Sequence, residues 1–445
     1  MNKTHSICAG VLILTGSLWA QVQSGPSQNS DLMLTPPPVS GQAFDTEATS
    51  EERSNFWRGG INFTSAYSDN ALGDVNGHPE SDVSYSVMPM LGWDKTTTRL
   101  HWLLNYAPGF TFYQHESSRD EADQNASLNL QYRLSPHVTL SAGDSFQKSS
   151  NAFNQPDLTS GTTVTGGTQP PNFSIIAPIA DRLTNSGNVG ISYQFGLNSM
   201  IGASGNFSNL HYPNASEVPG LYDSSTQGGT VFLSLRASRM HYFGASYQYQ
   251  RLVSFPFGVS DETQTHAAMF FYSLYPTRQF SISVFGGPQY SDSAATALPG
   301  ETATPETRAW TPAAGASMAW SGDRTSFAIS YSHVISSGAG LGGAVHMDSA
   351  SAAIRQVIRK SLMASITGSY ANNKVLADSL PFTNYGHTIQ GSATLEQQLG
   401  QNVSLTLGYT RLHQSYSNVP VIAQTPDTNR EMVSLSYSFT RALGR

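Results

Sequence analysis

The chain has 445 residues, of which 12% are charged, 39% hydrophobic and 11% aromatic, with 39 glycines and a formal net charge of -7. Soluble domains carry about 25% charged residues, so half the usual solvating charge is missing and an ordinary soluble enzyme is disfavoured. A mean hydropathy of -0.27 excludes a helical membrane protein, whose spans each need about 20 consecutive apolar residues, and the acidic balance argues against a nucleic-acid partner.

In chain order, residues 1–20 are expected to be a signal peptide: Lys3 precedes the short apolar stretch ICAGVLILTGSLWA, and Ala20 precedes a plausible cut. Cys8, the only cysteine, lies inside it, so the mature chain would carry no thiol. Residues 21–56 mix Pro, Ser and acidic residues without period and read as a disordered periplasmic N-terminal tail, too short for a plug domain.

From Trp57 the text alternates with period two, the signature of strands. Ala126, Leu128, Leu130 and Tyr132 face one way, while Ser127, Asn129, Gln131 and Arg133 face the other. The spacing predicts strands at 57–67, 82–93, 99–114, 124–133, 138–147, 187–195, 199–209, 229–237 and 241–251. Nine more follow at 264–275, 279–289, 307–320, 325–335, 346–358, 361–372, 387–399, 402–413 and 430–440. Short turns such as SPH, GLN, SGDR and GQN alternate with long polar loops. The fold class is therefore an all-β transmembrane antiparallel up-and-down β-barrel over 57–445, with about 18 strands (16–20), long loops outside and short turns in the periplasm.

Aromatic residues are expected to mark the two membrane interfaces. Trp57 and Tyr67, Trp102 and Phe112, and Trp310 and Trp320 are each ten residues apart on one strand face. At about 3.3 Å per residue and a tilt of about 40° this spans roughly 25 Å, the height of an outer-membrane apolar band. Trp93 joins the same girdle. Four prolines, Pro89, Pro108, Pro288 and Pro312, fall inside predicted strands and imply bulges or shifted boundaries there. Asp144 shares the phase of Leu140 and Phe146, and a bulge is expected to turn it inward.

The aromatic-girdled alternation ending in SLSYSF resembles that of bacterial outer-membrane β-barrels. The resemblance implies that Tyr437 and Phe439 form the C-terminal assembly signal, with Thr440 to Arg445 following it. YAPGFTFYQH and LNLQYRLSPHVTL are similar to uncharacterised β-barrel porin families, some associated with exopolysaccharide systems. Implied partners are outer-membrane lipid, lipopolysaccharide and the barrel assembly machinery, and a homo-oligomer fits the class.

Residues that could carry chemistry are few. None of the twelve histidines has metal-ligand spacing such as H-E-x-x-H. GDSF at 143–146 sits in mid-strand, with Asp144 and Ser145 on opposite faces, unlike a nucleophile elbow. No catalytic residue, cofactor or metal is predicted. Candidate pore-lining residues are Asn129, Gln131, Arg133, Gln194, Arg236, Arg355 and Glu396; the charged ones fall toward the periplasmic end. The rest of the lumen is expected to be hydroxyl, amide and glycine, without the greasy lining of an apolar-substrate channel. Residues 149–185, the longest connection, are the candidate constriction loop, as in the general porins. The expected function is passive diffusion of small hydrophilic, uncharged solutes; the alternative is a structural or secretion-linked barrel serving surface polysaccharide.

Overall fold

The computed structural model describes residues 55–71, 79–149, 181–256, 260–277, 279–295, 306–337, 340–376, 385–417, 419 and 427–442. The expected signal peptide and nearly all of the tail lie outside them, as does the middle of the expected constriction loop.

Period-two segments can bury one face only by joining edge to edge, and a sheet in lipid can leave no edge. The strands do so in a single closed sheet. They are β1 (Phe56–Ser68), β2 (Asp82–Thr96), β3 (Leu100–Tyr113), β4 (Glu121–Arg133), β5 (Val138–Ser149), β6 (Arg182–Gly196), β7 (Ser199–His211), β8 (Ser224–Arg236) and β9 (His241–Ser254). The second half comprises β10 (Asp261–Thr277), β11 (Phe280–Ala295), β12 (Glu306–Ser321), β13 (Thr325–Ser336), β14 (Val345–Arg359), β15 (Leu362–Val375), β16 (Tyr385–Gln398), β17 (Val403–Tyr416) and β18 (Asp427–Ala442). Each pairs antiparallel with its sequence neighbours, and β1 pairs with β18, giving a closed barrel of 18 strands.

All eighteen predicted strands are present, and where they outrun prediction they do so mainly at the ends joined by long connections. β8 begins at Ser224 rather than 229, and β11 runs to Ala295 rather than 289. Beyond the apolar band both faces meet polar surroundings, so the contrast that signals a strand disappears while the ladder continues.

One phase of each strand carries large exposed apolar side chains, among them Phe63, Leu91, Phe110, Val189, Ile366 and Val433. This is the outer face. The inner phase is held by cross-strand hydroxyl pairs, including Ser330 with Ser351 at 2.7 Å, Ser332 with Ser349 at 2.6 Å and Ser273 with Ser283 at 2.8 Å. Such pairs each contribute roughly 0.2–1 kcal/mol and give the abundant serine a structural use.

Ring closure is built from both faces of β1 and β18. Inside, Asn62 accepts from the hydroxyls of Ser434 and Ser436, and Thr64 donates to Ser434 at 3.0 Å. Outside, the Phe439 ring lies over Gly59, where a Cβ would stand 2.4 Å from it.

Two expectations need correcting. The β4–β5 and β5–β6 registers run past Asp144 without a shift, setting it opposite Leu128 and Gly187. No bulge turns it inward, and it stays exposed in the outer phase with Phe146. The prolines also sit in unshifted strands. Pro288 and Pro312 face each other directly. The β2–β3 register places Pro89 opposite Pro108 but lapses from Val87↔Phe110 to Leu91↔Tyr106. A proline facing a proline needs no ladder bond from its partner, so paired prolines cost the sheet less than a bulge.

Candidate functional site: the lumen

The inner face is asymmetric. On β4–β7 it forms an open polar wall, whose rows can be read from the register. Ser127, Ser145, Ser186 and Ser208 lie side by side; Asn129, Gly143, Asn188 and Asn206 come next; then Gln131, Ser141, Gly190 and Ser204. A last row holds Arg133, Thr139, Ser192 and Gly202, next to the short turns. Asn129, Gln131, Arg133, Ser141, Ser145, Asn188, Ser204 and Ser208 are exposed. Their exposure runs from the short-turn end almost to the long-connection end, so this wall presents neutral hydroxyls and amides, with one guanidinium at the short-turn end.

Other predicted lining residues also occupy the inner phase at the short-turn end. Gln194 is half-buried on β6. The Arg236 guanidinium stands 5.9 Å from the Tyr242 ring centre. Arg355 donates to Met363 Sδ at 2.6 Å, and its charge attracts that of Glu396, which Ser404 hydrogen-bonds. The wall residues Ser141, Ser145, Asn188, Ser204 and Ser208 are additions. Nothing in their local sequence separates them from inner serines that neighbouring chain covers.

Across the barrel the inner face keeps hydroxyl pairs on β10–β11 and β13–β14 but also carries a packed apolar cluster that reaches the long connections. Ala267, Met269 and Phe271 of β10, Phe285 of β11, Val345 and Met347 of β14 and Tyr416 of β17 form one buried cluster with Tyr212, Val218, Leu221, Leu341 and Val419 from the connections. The Tyr222 N–H donates to Gly340 O at 2.8 Å, tying two of these connections together. The expected lining of hydroxyl, amide and glycine is therefore interrupted on this side by the apolar cluster and is exposed mainly along β4–β7. The signal was present in the β10 segment AAMFFY, apolar in both phases: a strand greasy on both faces must be covered on both.

The predicted girdle residues fall at the two ends of the outer phase. At the short-turn end Trp57 stacks on Trp93, with ring centres 5.0 Å apart, and Trp93 meets Trp102 at a tilt, with centres 4.6 Å apart. Trp320 lies there against Phe327, and Tyr437 against Phe439. Tyr67, Phe112 and Trp310 are exposed toward the other end, where Trp310 meets Tyr290 at 5.2 Å. The described part of 149–185 differs from a loop at both margins: Ser149 closes β5, and β6 starts at Arg182 beside an ion pair of Lys148 and Asp181 at 3.2 Å.

Histidines stand with aspartates rather than with one another as ligands. His101, His115, His211, His333 and His413 each lie within 3.3 Å of one. Among the described residues no three His, Cys, Asp or Glu side chains form a metal-holding group. Ser145 and Asp144 occupy opposite faces of β5.

No family model matches the chain, and no curated protein matches it. Among solved structures it is similar to the outer membrane protein OpdK from Pseudomonas aeruginosa, at 8% identity and a TM-score of 0.43 over 88% of this chain and 100% of that one. OccAB4 from Acinetobacter baumannii has 10% identity and a TM-score of 0.43 over 88% and 99%. The ferric-catecholate import receptor Fiu from E. coli K12 has 10% and 0.43 over 88% and 82%. At such identities and scores neither substrate nor mechanism passes to this chain. Its own closed ladder of 18 strands, with apolar side chains outward and hydroxyls inward, makes it a transmembrane β-barrel of the bacterial outer membrane.

Proposed function

We propose that the protein is a porin-like channel for passive diffusion of small, uncharged hydrophilic solutes. The observation that carries this reading is the exposed polar wall on β4–β7, whose rows hold Ser, Asn, Gln, Thr and Gly with Arg133 as the only charge. Such a wall offers hydrogen bonds along its length and no strong electrostatic trap, which is what rapid transit of a neutral solute needs. The apolar packing opposite narrows the path and favours small solutes. Planar-bilayer recording of the purified barrel should show stepwise conductance, and vesicle swelling should show entry of neutral sugars or amides; a barrel silent in both would refute the proposal.

Outer-leaflet lipopolysaccharide and the assembly machinery are its proposed partners. Charged pairs on the outer phase near the long connections, such as Arg251 with Glu262 at 2.6 Å and Arg308 with Asp292 at 3.1 Å, support contact with polar headgroups. The polysaccharide-export alternative is supported by the sequence resemblance, and normal export in a deletion strain would count against it.

A further inference from the structure

The barrel wall is not paired all round. β12 pairs with β11 from Phe280↔Trp320 to Ala294↔Glu306, but with β13 only from Ser321↔Ser326 to Ala314↔His333. Continuing that register would set Ala313 against Val334 and Pro312 against Ile335. All four residues are described, and neither pair forms.

Pro312 supplies the reason. Facing Pro288, it cannot exchange N–H···O bonds with it, so the two form a non-hydrogen-bonded pair and each ring nitrogen points to its other neighbour. For Pro312 that neighbour is β13, and the donor is missing at the height where the seam parts. Above it β13 parts from β12 while staying paired with β14 through Val334↔Met347, Ile335↔His346 and Ser336↔Val345. Val334 and Ile335, of opposite phase, are both 3% exposed. Ile335 packs with Leu252 and Ala344, and its N–H donates to the Gln289 side chain at 3.4 Å.

Behind the seam lies the apolar cluster, which includes Ala313 and Val334 themselves and Leu341. Within it the Tyr212 side chain is 2% exposed, and its hydroxyl has no hydrogen-bond partner among the described residues. The Arg182 charge acts on this phenol. In front of the seam Trp310 is 71% exposed, and the small outer side chains Pro312, Ala314 and Ala316 leave the lip low. A free backbone edge at this depth is costly unless it faces protein or a filled cavity. A polypeptide strand could add to such an edge, but a proline there blunts it.

We propose that the unpaired stretch between β12 and β13 is a lateral entry by which a single-chain amphiphile, a long-chain carboxylate, passes between the outer leaflet and the apolar cluster inside the barrel. The chain lies among Ala313, Val334 and Leu341, and the carboxylate meets the Tyr212 hydroxyl. This site differs from the polar wall on β4–β7 and uses none of its residues.

The test uses the folded full barrel in detergent micelles and cis-parinaric acid, which fluoresces in apolar surroundings. Wild type is expected to bind it saturably. The double variant Ala313→Cys with Val334→Cys bridges the seam when oxidised; Cys8 is the only native cysteine. Oxidation should weaken binding at least tenfold, and reductant should restore it. Leu341→Asp, in a connection rather than in the wall, should also lose at least tenfold while the barrel keeps its heat-modifiable folded band on gels. If the cysteines fail to oxidise, Leu341→Asp decides alone. No saturable binding by wild type, or equal binding by the variants, overturns the proposal and leaves strand addition as the reading of the edge. Conductance in planar bilayers reads the polar path separately and should survive oxidation.

Discussion

Gly59 is needed because the Phe439 ring occupies the space where its side chain would be. Gly59→Val must displace that ring from the closing seam, and overpacking of this kind costs about 1–3 kcal/mol; the urea midpoint of the refolded barrel should fall accordingly. Asp144 makes the opposite case. It stays in the lipid-facing phase halfway along β5, between Leu128 and Gly187, where a charge is unfavourable. Asp144→Leu should raise stability by about 1–2 kcal/mol in the same titration. Tyr212, in the connection between β7 and β8, gives a pH prediction. Burial pushes its phenol up from 10.0 to about 12. Between those values the unfolded segment has lost a proton that the folded one retains, so packing of the connection is fully stable below pH 10 and weakens as pH rises toward 12. Protease cleavage within 212–223 should set in over that window, and Tyr212→Phe should remove the dependence. The Tyr212 residue type was visible in the sequence; its burial depends on Val218, Leu221 and Leu341, brought together from connections distant in the chain.

At the scale of elements, strands were legible wherever one face met lipid and the other did not. QNASLNLQYRL declares β4 because Leu128 and Leu130 alternate with Asn129 and Gln131. SSTQ at the start of β8 declares nothing, because both phases are polar there, yet Ser224 to Gln227 pair with β7 and β9. Prolines misled for a related reason. Their cost depends on which neighbour their nitrogen faces, a property of register, and register needs the partner strand. The consequence is measurable in β12: amide hydrogen exchange should be faster at Trp310, whose N–H faces the same unpaired side as the Pro312 nitrogen, than at Ala316 and Met318, whose N–H groups face β13 within its paired stretch. Pro312→Val, which returns a donor to that edge, should slow exchange at the seam.

For the molecule as a whole, the lumen has a wet side and a packed side, and the two make separate predictions. Along β4–β7 the wall is neutral apart from Arg133, so conductance should be weakly selective. Arg133→Ala should shift reversal potentials toward cations without changing the folded yield, because Arg133 is exposed at the end of its strand. The sequence placed Arg133, Arg355 and Glu396 near the periplasmic end and named several wall residues, but it expected one polar lining throughout. Alternation tells which phase is inward and not what lies beyond it. Only the spatial meeting of β10, β11 and β14 with the connections distinguishes inner residues that face water from those that face protein.

The sequence by itself determined the class, a strand number of about 18 within 16–20 and the alternation of short and long connections, because period two and turn chemistry act between near neighbours along the chain. Register, proline pairing, the parted seam and the division of the lumen were decided by tertiary structure. Each depends on which residue of a second strand, or of a connection tens of residues away, comes opposite the first, and no local pattern carries that information.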